Sequence, residues 1–229
     1  MYLGTFFVPG LVLIQICLLF RGQKKRRKKT ASAVAVLMVF ILSCTGCAGI
    51  EPEKRMYPLA MGVDVSEGEY ILTYAMPDLP RATGQGKEEE DGNQTLQVRG
   101  KSFEGIKSRY ERSQEKYLDI GHLQILILSQ DLTETDMWKD FFEYLREEPL
   151  AGENIYVFQT QEPEKLLGWK EGGTSVGEYI TGLMENRMDR EQKNGVTLRQ
   201  VYYQWYQNGT LKKLPKITLS EDQIQVWLE

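Results

Sequence analysis

The stretch HLQILILS, residues 122–129, decides the fold. Residues 125–128 are Ile-Leu-Ile-Leu, with no polar residue among them. Successive side chains of a strand point to opposite faces, so a strand with one wet face alternates apolar and polar residues. An unbroken apolar run instead reads as a central strand buried on both faces.

The flanking sequence supplies the rest of a sheet. LAMGVDV (59–65) and YILTYAM (70–76) are rich in strand formers and bracket Ser66-Glu67-Gly68-Glu69, where Gly68 provides the positive φ of a tight hairpin turn. LPRATGQGKEEEDGN (79–93) has no periodicity, and its Glu88-Glu89-Glu90-Asp91 run reads as a solvated loop rather than a cation site. TLQVRG (95–100) is a short strand. Phe103, Ile106 and Tyr110 then fall at helical spacing behind Ser102 as N-cap.

Beyond the central strand, Met137, Trp138, Phe141, Phe142 and Leu145 mark an amphipathic helix that stops before Pro149. NIYVFQT (154–160) is a strand, and Pro163 opens a short helix ending near Trp169. After Gly172-Gly173, two capping boxes, Ser175 to Glu178 and Thr197 to Gln200, each start a helix. KITL (216–219) and IQVWL (224–228) close the series as strands. The order β-β-β-α-β-α-β-α-α-α-β-β predicts an α+β domain, a mixed β-sheet with helices packed against it.

Ahead of this domain lies KKRRKKTASAVAVLMVFILSCTGC, residues 24–47. A basic cluster, a short apolar run and small residues before a cysteine follow the grammar of an export signal, and Thr45-Gly46-Cys47 has the form of a bacterial lipoprotein cleavage site. Cleavage before Cys47 with diacylglycerol on its thiol is the expected processing; Cys44 is the less favoured site. The competing reading is an uncleaved anchor, but residues 31–47 number 17, short of the roughly 20 that a spanning helix needs. A second apolar run, residues 5–20, is either a first transmembrane helix or sequence upstream of the true start, the second being preferred. The expected organisation is a hydrophobic N-terminal region with signal peptide (1–46), a tether (47–56) and one domain (57–229).

Charge and cysteine usage agree with export. All 32 Asp/Glu lie beyond Cys47, against 21 Lys/Arg, a balance of −11 for the exported part. Basic residues flanking an apolar segment stay cytoplasmic, so the acidic part emerges outside. Such a domain is repelled by phosphate, which argues against nucleic acid as a partner. No cysteine follows Cys47, so that part has no disulfide, thiol nucleophile or thiolate metal site.

Motifs for metal, phosphate and dinucleotide chemistry are missing: there is no HExxH, P-loop, GxGxxG or DxDxDG pattern. The one histidine, His122, stands after Gly121 at the expected start of the central strand, where a structural role outweighs that of general base. No catalytic residue, metal site or cofactor is expected. The aromatics Tyr202, Tyr203, Trp205 and Tyr206 could line a ligand pocket or partner groove, although most belong to or adjoin the helix's core face.

Several stretches, in order, resemble the Ger(x)C family, the C-subunit lipoproteins of spore nutrient-germinant receptors. They are the Thr45-Gly46-Cys47 lipobox, Glu51-Pro52-Glu53-Lys54-Arg55, the Leu-Ala-Met-Gly-Val-Asp of 59–64, the helix opening at Ser102-Phe103-Glu104, YLDIGHLQILILS (117–129), Asp140-Phe141-Phe142 and Leu214-Pro215-Lys216-Ile217. The resemblance implies lipidation at Cys47 and a non-enzymatic domain on the outer face of the spore's inner membrane. It also implies partnership with the receptor's integral-membrane A and B subunits in germination. Residues 1–20 are additional to the family's usual start, and the domains that usually follow the Leu-Pro-Lys-Ile segment are not in this sequence. A free-standing extracytoplasmic lipoprotein that binds a small ligand is the alternative reading.

Overall fold

Strand β6 (Ile125–Ser129) is fully buried along its length, in a computed structural model that describes residues 51–77, 95–169, 174–186 and 195–227. The chain divides into two units, 1–49 and 50–229, and every described residue lies in the second. The export signal, Cys44, Cys47, the apolar run 5–20, the acidic loop 79–93, Gly172-Gly173 and Leu228 fall largely or wholly outside the described residues.

In chain order the elements are β1 (Arg55–Met56), β2 (Ala60–Ser66), β3 (Glu69–Ala75), β4 (Thr95–Gly100), α1 (Phe103–Ser113) and β5 (Tyr117–Leu118). After β6 come α2 (Gln130–Glu134), α3 (Met137–Glu147), β7 (Tyr156–Thr160), α4 (Pro163–Leu167), α5 (Val176–Glu185), α6 (Leu198–Asn208), β8 (Lys216–Ser220) and β9 (Gln223–Trp227). Seven strands form one sheet in the order β4-β3-β2-β6-β7-β8-β9, while β1 and β5 make a separate parallel pair. The four inner strands β2, β6, β7 and β8 run parallel; β3 with β4, and β9, flank them antiparallel. The fold is α+β with a mixed sheet, as the element order predicts.

The central strand divides the core in two. Leu126 and Leu128 join a cluster with Phe103 and Ile106 of α1, Phe141, Phe142 and Leu145 of α3, and Leu198 and Val201 of α6. Ile125 and Ile127 join the opposite cluster with Leu166 and Leu167 of α4 and Val176, Ile180 and Met184 of α5. Parallel strands require crossover connections, and these put helices on the faces of the sheet. Both faces are therefore dry.

Local chemistry sets the ends of the elements. The β2–β3 turn places Glu67 and Gly68 at φ 52° and 76°, the doubly left-handed turn favoured by two-residue hairpins. Its counterpart between β8 and β9 has no glycine: Glu221 and Asp222 sit at φ 50° and 60°, and the Trp169 indole donates to the Asp222 carbonyl at 2.7 Å. Ser102 Oγ caps α1 by accepting from Gly105 N, and both expected capping boxes are formed. Helix α3 ends at Glu147, two residues before Pro149.

Three details differ from the sequence reading. The strand begins at Ile125, because residues 120–122 form a 3-10 turn: Asp119 accepts from Gly121 N and Leu123 N donates to Ile120 O. Helix α2 was not anticipated, since five residues are too few to show a period; Ser129 Oγ caps it by accepting from Leu132 N at 3.0 Å. Arg55 and Met56, read as the end of a tether, pair with Tyr117 and Leu118.

Helix α5 lies very close to the chain that enters β2. A Cβ added to Gly177 would stand 2.7 Å from Leu59 Cβ and 3.0 Å from its carbonyl carbon, and backbone cannot move aside cheaply. Helix propensity alone would make Gly177→Ala stabilising by up to about 1 kcal/mol. We expect the contact to win, with a net loss of about 1–3 kcal/mol typical of overpacking. Urea unfolding would show this as a lower midpoint; an unchanged or higher midpoint would contradict the packing.

Candidate functional site

The described chain begins beside its only histidine, at a small clasp. Met56 N-terminal to β2 and Leu118 before the 3-10 turn are partners in the two-residue parallel pair, which Asp119 N extends by donating to Met56 O at 2.9 Å. Arg55 Nη1 donates to Asp119 Oδ2 at 2.5 Å. The Asp119 Oδ1 accepts from Gly121 N at 2.9 Å, so both carboxylate oxygens are committed.

Asp119 is buried, whereas the Arg55 side chain is about a quarter exposed. Burial acts to raise the Asp119 pKa, but the Gly121 N–H and the Arg55 guanidinium together outweigh it and hold the carboxyl below the ordinary range. His122 is exposed and packs edge-to-face on Tyr57, with ring centroids 4.9 Å apart. The nearby carboxylate of Asp119 is already bound by Arg55 and Gly121. His122 is a clasp residue.

Next to the clasp a cleft of about 240 Å³ opens between α1 and α3, over β2, β3 and β4. Its floor includes Met61, Tyr74, Val98 and Ile106; Tyr110 and Tyr144 flank it, and Leu118 and Ile120 connect it to the clasp. At its mouth Lys107 Nζ lies 3.3 Å from Glu148 Oε1. Desolvation raises the pKa of Tyr74, Tyr110 and Tyr144, with Glu148 adding to the effect at Tyr74 and Tyr144, so these hydroxyls remain neutral.

The α6 aromatics lie elsewhere and split into two groups. Tyr202 packs edge-on against Phe142 and donates to its carbonyl at 3.3 Å, while Trp205 packs edge-on against Trp138. Tyr206 stacks on Trp205 yet is 58% exposed, and Tyr203 is 69% exposed. None of the four lines the cleft. Among the described residues, no three His, Cys, Asp or Glu side chains are grouped to hold a metal ion.

The clasp has a definite acid signature. A carboxyl with a depressed folded pKa contributes stability above its unfolded value, near 4, and loses that contribution as pH falls through the folded value. Asp119→Asn should therefore lower the thermal midpoint by several degrees at pH 7. The gap between wild type and variant should close as pH drops below about 4. A gap that stays constant down to pH 2.5 would show that the charge of Asp119 contributes nothing.

Comparison with known proteins bears on most of this unit. A family model described as the spore germination protein N-terminal domain matches residues 49–219. No curated protein and no solved structure matches the chain. The matched span covers the clasp, the cleft and the sheet from β4 across to β8. With three quarters of its length inside that match, the chain belongs to the Ger(x)C family of spore germination proteins, and residues 49–219 are the family's N-terminal domain.

Proposed function

We propose that this germination protein is the lipid-anchored, non-enzymatic subunit of a spore nutrient-germinant receptor. The observation that carries the reading is one of spacing. The Thr45-Gly46-Cys47 lipobox ends two residues before the germination domain begins at residue 49. Among the described residues no helix is long and apolar enough to cross a membrane, so the reading assigns attachment to the region before the domain. One acyl chain gives only marginal binding, whereas the two chains of a diacylated Cys47 anchor stably, at ~0.8 kcal/mol per buried CH₂.

In this reading the domain stands on the outer face of the spore's inner membrane and works with the integral-membrane A and B subunits. Its contribution is structural and interactive. The only histidine serves packing at the clasp, and the buried carboxylate beside it is spent on Arg55 and Gly121.

The test is Cys47→Ala in a spore-forming host, followed through membrane fractionation. We expect the variant either to leave the membrane fraction or to accumulate as uncleaved precursor. It should also no longer co-purify with two multi-helix membrane proteins that accompany the wild type. Normal processing with full membrane retention would overturn the assignment of Cys47.

A further inference from the structure

We propose that the cleft between α1 and α3 is a binding site for a small uncharged molecule with an apolar body and one hydrogen-bond-accepting oxygen. The inference concerns the domain itself and stands whether or not Cys47 is lipidated. Its starting point is Tyr74. That residue is 96% buried and lines the cleft, yet its hydroxyl has no hydrogen-bond partner among the described residues. Among the described residues no fully enclosed side-chain polar atom lacks a partner, so the Tyr74 hydroxyl is not sealed off, and the space beside it is the cleft that Tyr74 lines. A hydroxyl that opens onto a cleft can donate to a ligand's acceptor in place of water.

The neighbouring residues define the class of ligand. Tyr110 is already committed, donating to Lys116 O at 2.8 Å, which leaves Tyr74 as the deep donor. Met61, Val98, Ile106, Ile120 and Leu145 supply an apolar wall for the body of the molecule. Lys107 and Glu148 pair with each other, and the other charged lining residues, Glu111, Glu115 and Lys116, are exposed, so the buried residues of the cleft carry no charge for an ionic head. A volume of about 240 Å³ exceeds the ~150 Å³ of an apolar cavity known to take benzene, so a substituted ring or short branched chain fits. Tyr117 and Leu118 belong to both cleft and clasp, so occupancy bears on the segment through which the chain enters the domain.

The experiment uses the full chain in lipid nanodiscs, with ¹³C-methyl labels on Ile, Leu and Val, titrated with benzyl alcohol and separately with toluene. Benzyl alcohol should shift the methyls of Val98, Ile106 and Ile120 saturably while leaving Ile217 and Ile224, on the other face of the sheet, in place. Tyr74→Phe should weaken benzyl alcohol by about fivefold, the worth of one neutral hydrogen bond, and leave toluene unchanged. Should that variant misfold, the wild type alone decides, since it should prefer the alcohol by a similar factor at equal free concentration. Absent or non-saturable shifts, shifts equal on both faces, or equal affinity for alcohol and toluene would overturn the proposal.

Discussion

Four consecutive aliphatic side chains, Ile125 to Leu128, are each 0% exposed, and a strand can hide such a run only between two covered faces. The consequences spread through the architecture. Parallel neighbours on each side of β6 bring crossover helices, and these supply the cover: α1, α3 and α6 over Leu126 and Leu128, α4 and α5 over Ile125 and Ile127. Full burial of a side chain of this size is worth roughly 1.5–3 kcal/mol, so β6 is a large share of what holds the layers together. The antiparallel strands then sit outside this parallel centre, where hairpins suffice to connect them.

Elements governed by neighbours in sequence were legible from sequence. The β2–β3 hairpin depends on Gly68, the α5 and α6 boundaries on side chains three residues apart, and α3 on a repeat of apolar residues across three turns. What was missed depends on distant partners. The β1–β5 pair has only two residues on each side, brought together across more than 60 positions, and Arg55 meets Asp119 from 64 residues away. The displaced start of β6 follows from the Asp119 carboxylate capturing Gly121 N, and an Asp two residues before a glycine was its one local sign.

The same distinction applies to function. A lipobox is a local pattern, so Cys47 can be proposed as the lipid site without any structure, and the ordered pieces that resemble the germination family are local patterns too. The cleft has no such pattern. Tyr74 lies on β3, Tyr110 on α1 and Tyr144 on α3, and a tyrosine in a strand or an amphipathic helix looks like any other core residue until the three are seen together. The α6 aromatics illustrate the converse, since their density drew notice in the sequence while the structure commits Tyr202 and Trp205 to packing.

The clasp gives the domain a closed beginning. Main-chain pairing, a buried carboxylate and the edge of His122 all act on the few residues that enter the fold, so any pull on the N-terminal segment is borne there first. That matters if the segment is the link to a lipid, which is the central claim of the account. Intact-mass analysis of the protein isolated from the membrane fraction of a spore-forming host tests this most directly. The account predicts a mass that begins at Cys47 and carries a diacylglycerol; a mass that retains residues 1–46 would contradict it and make the N-terminal region the anchor.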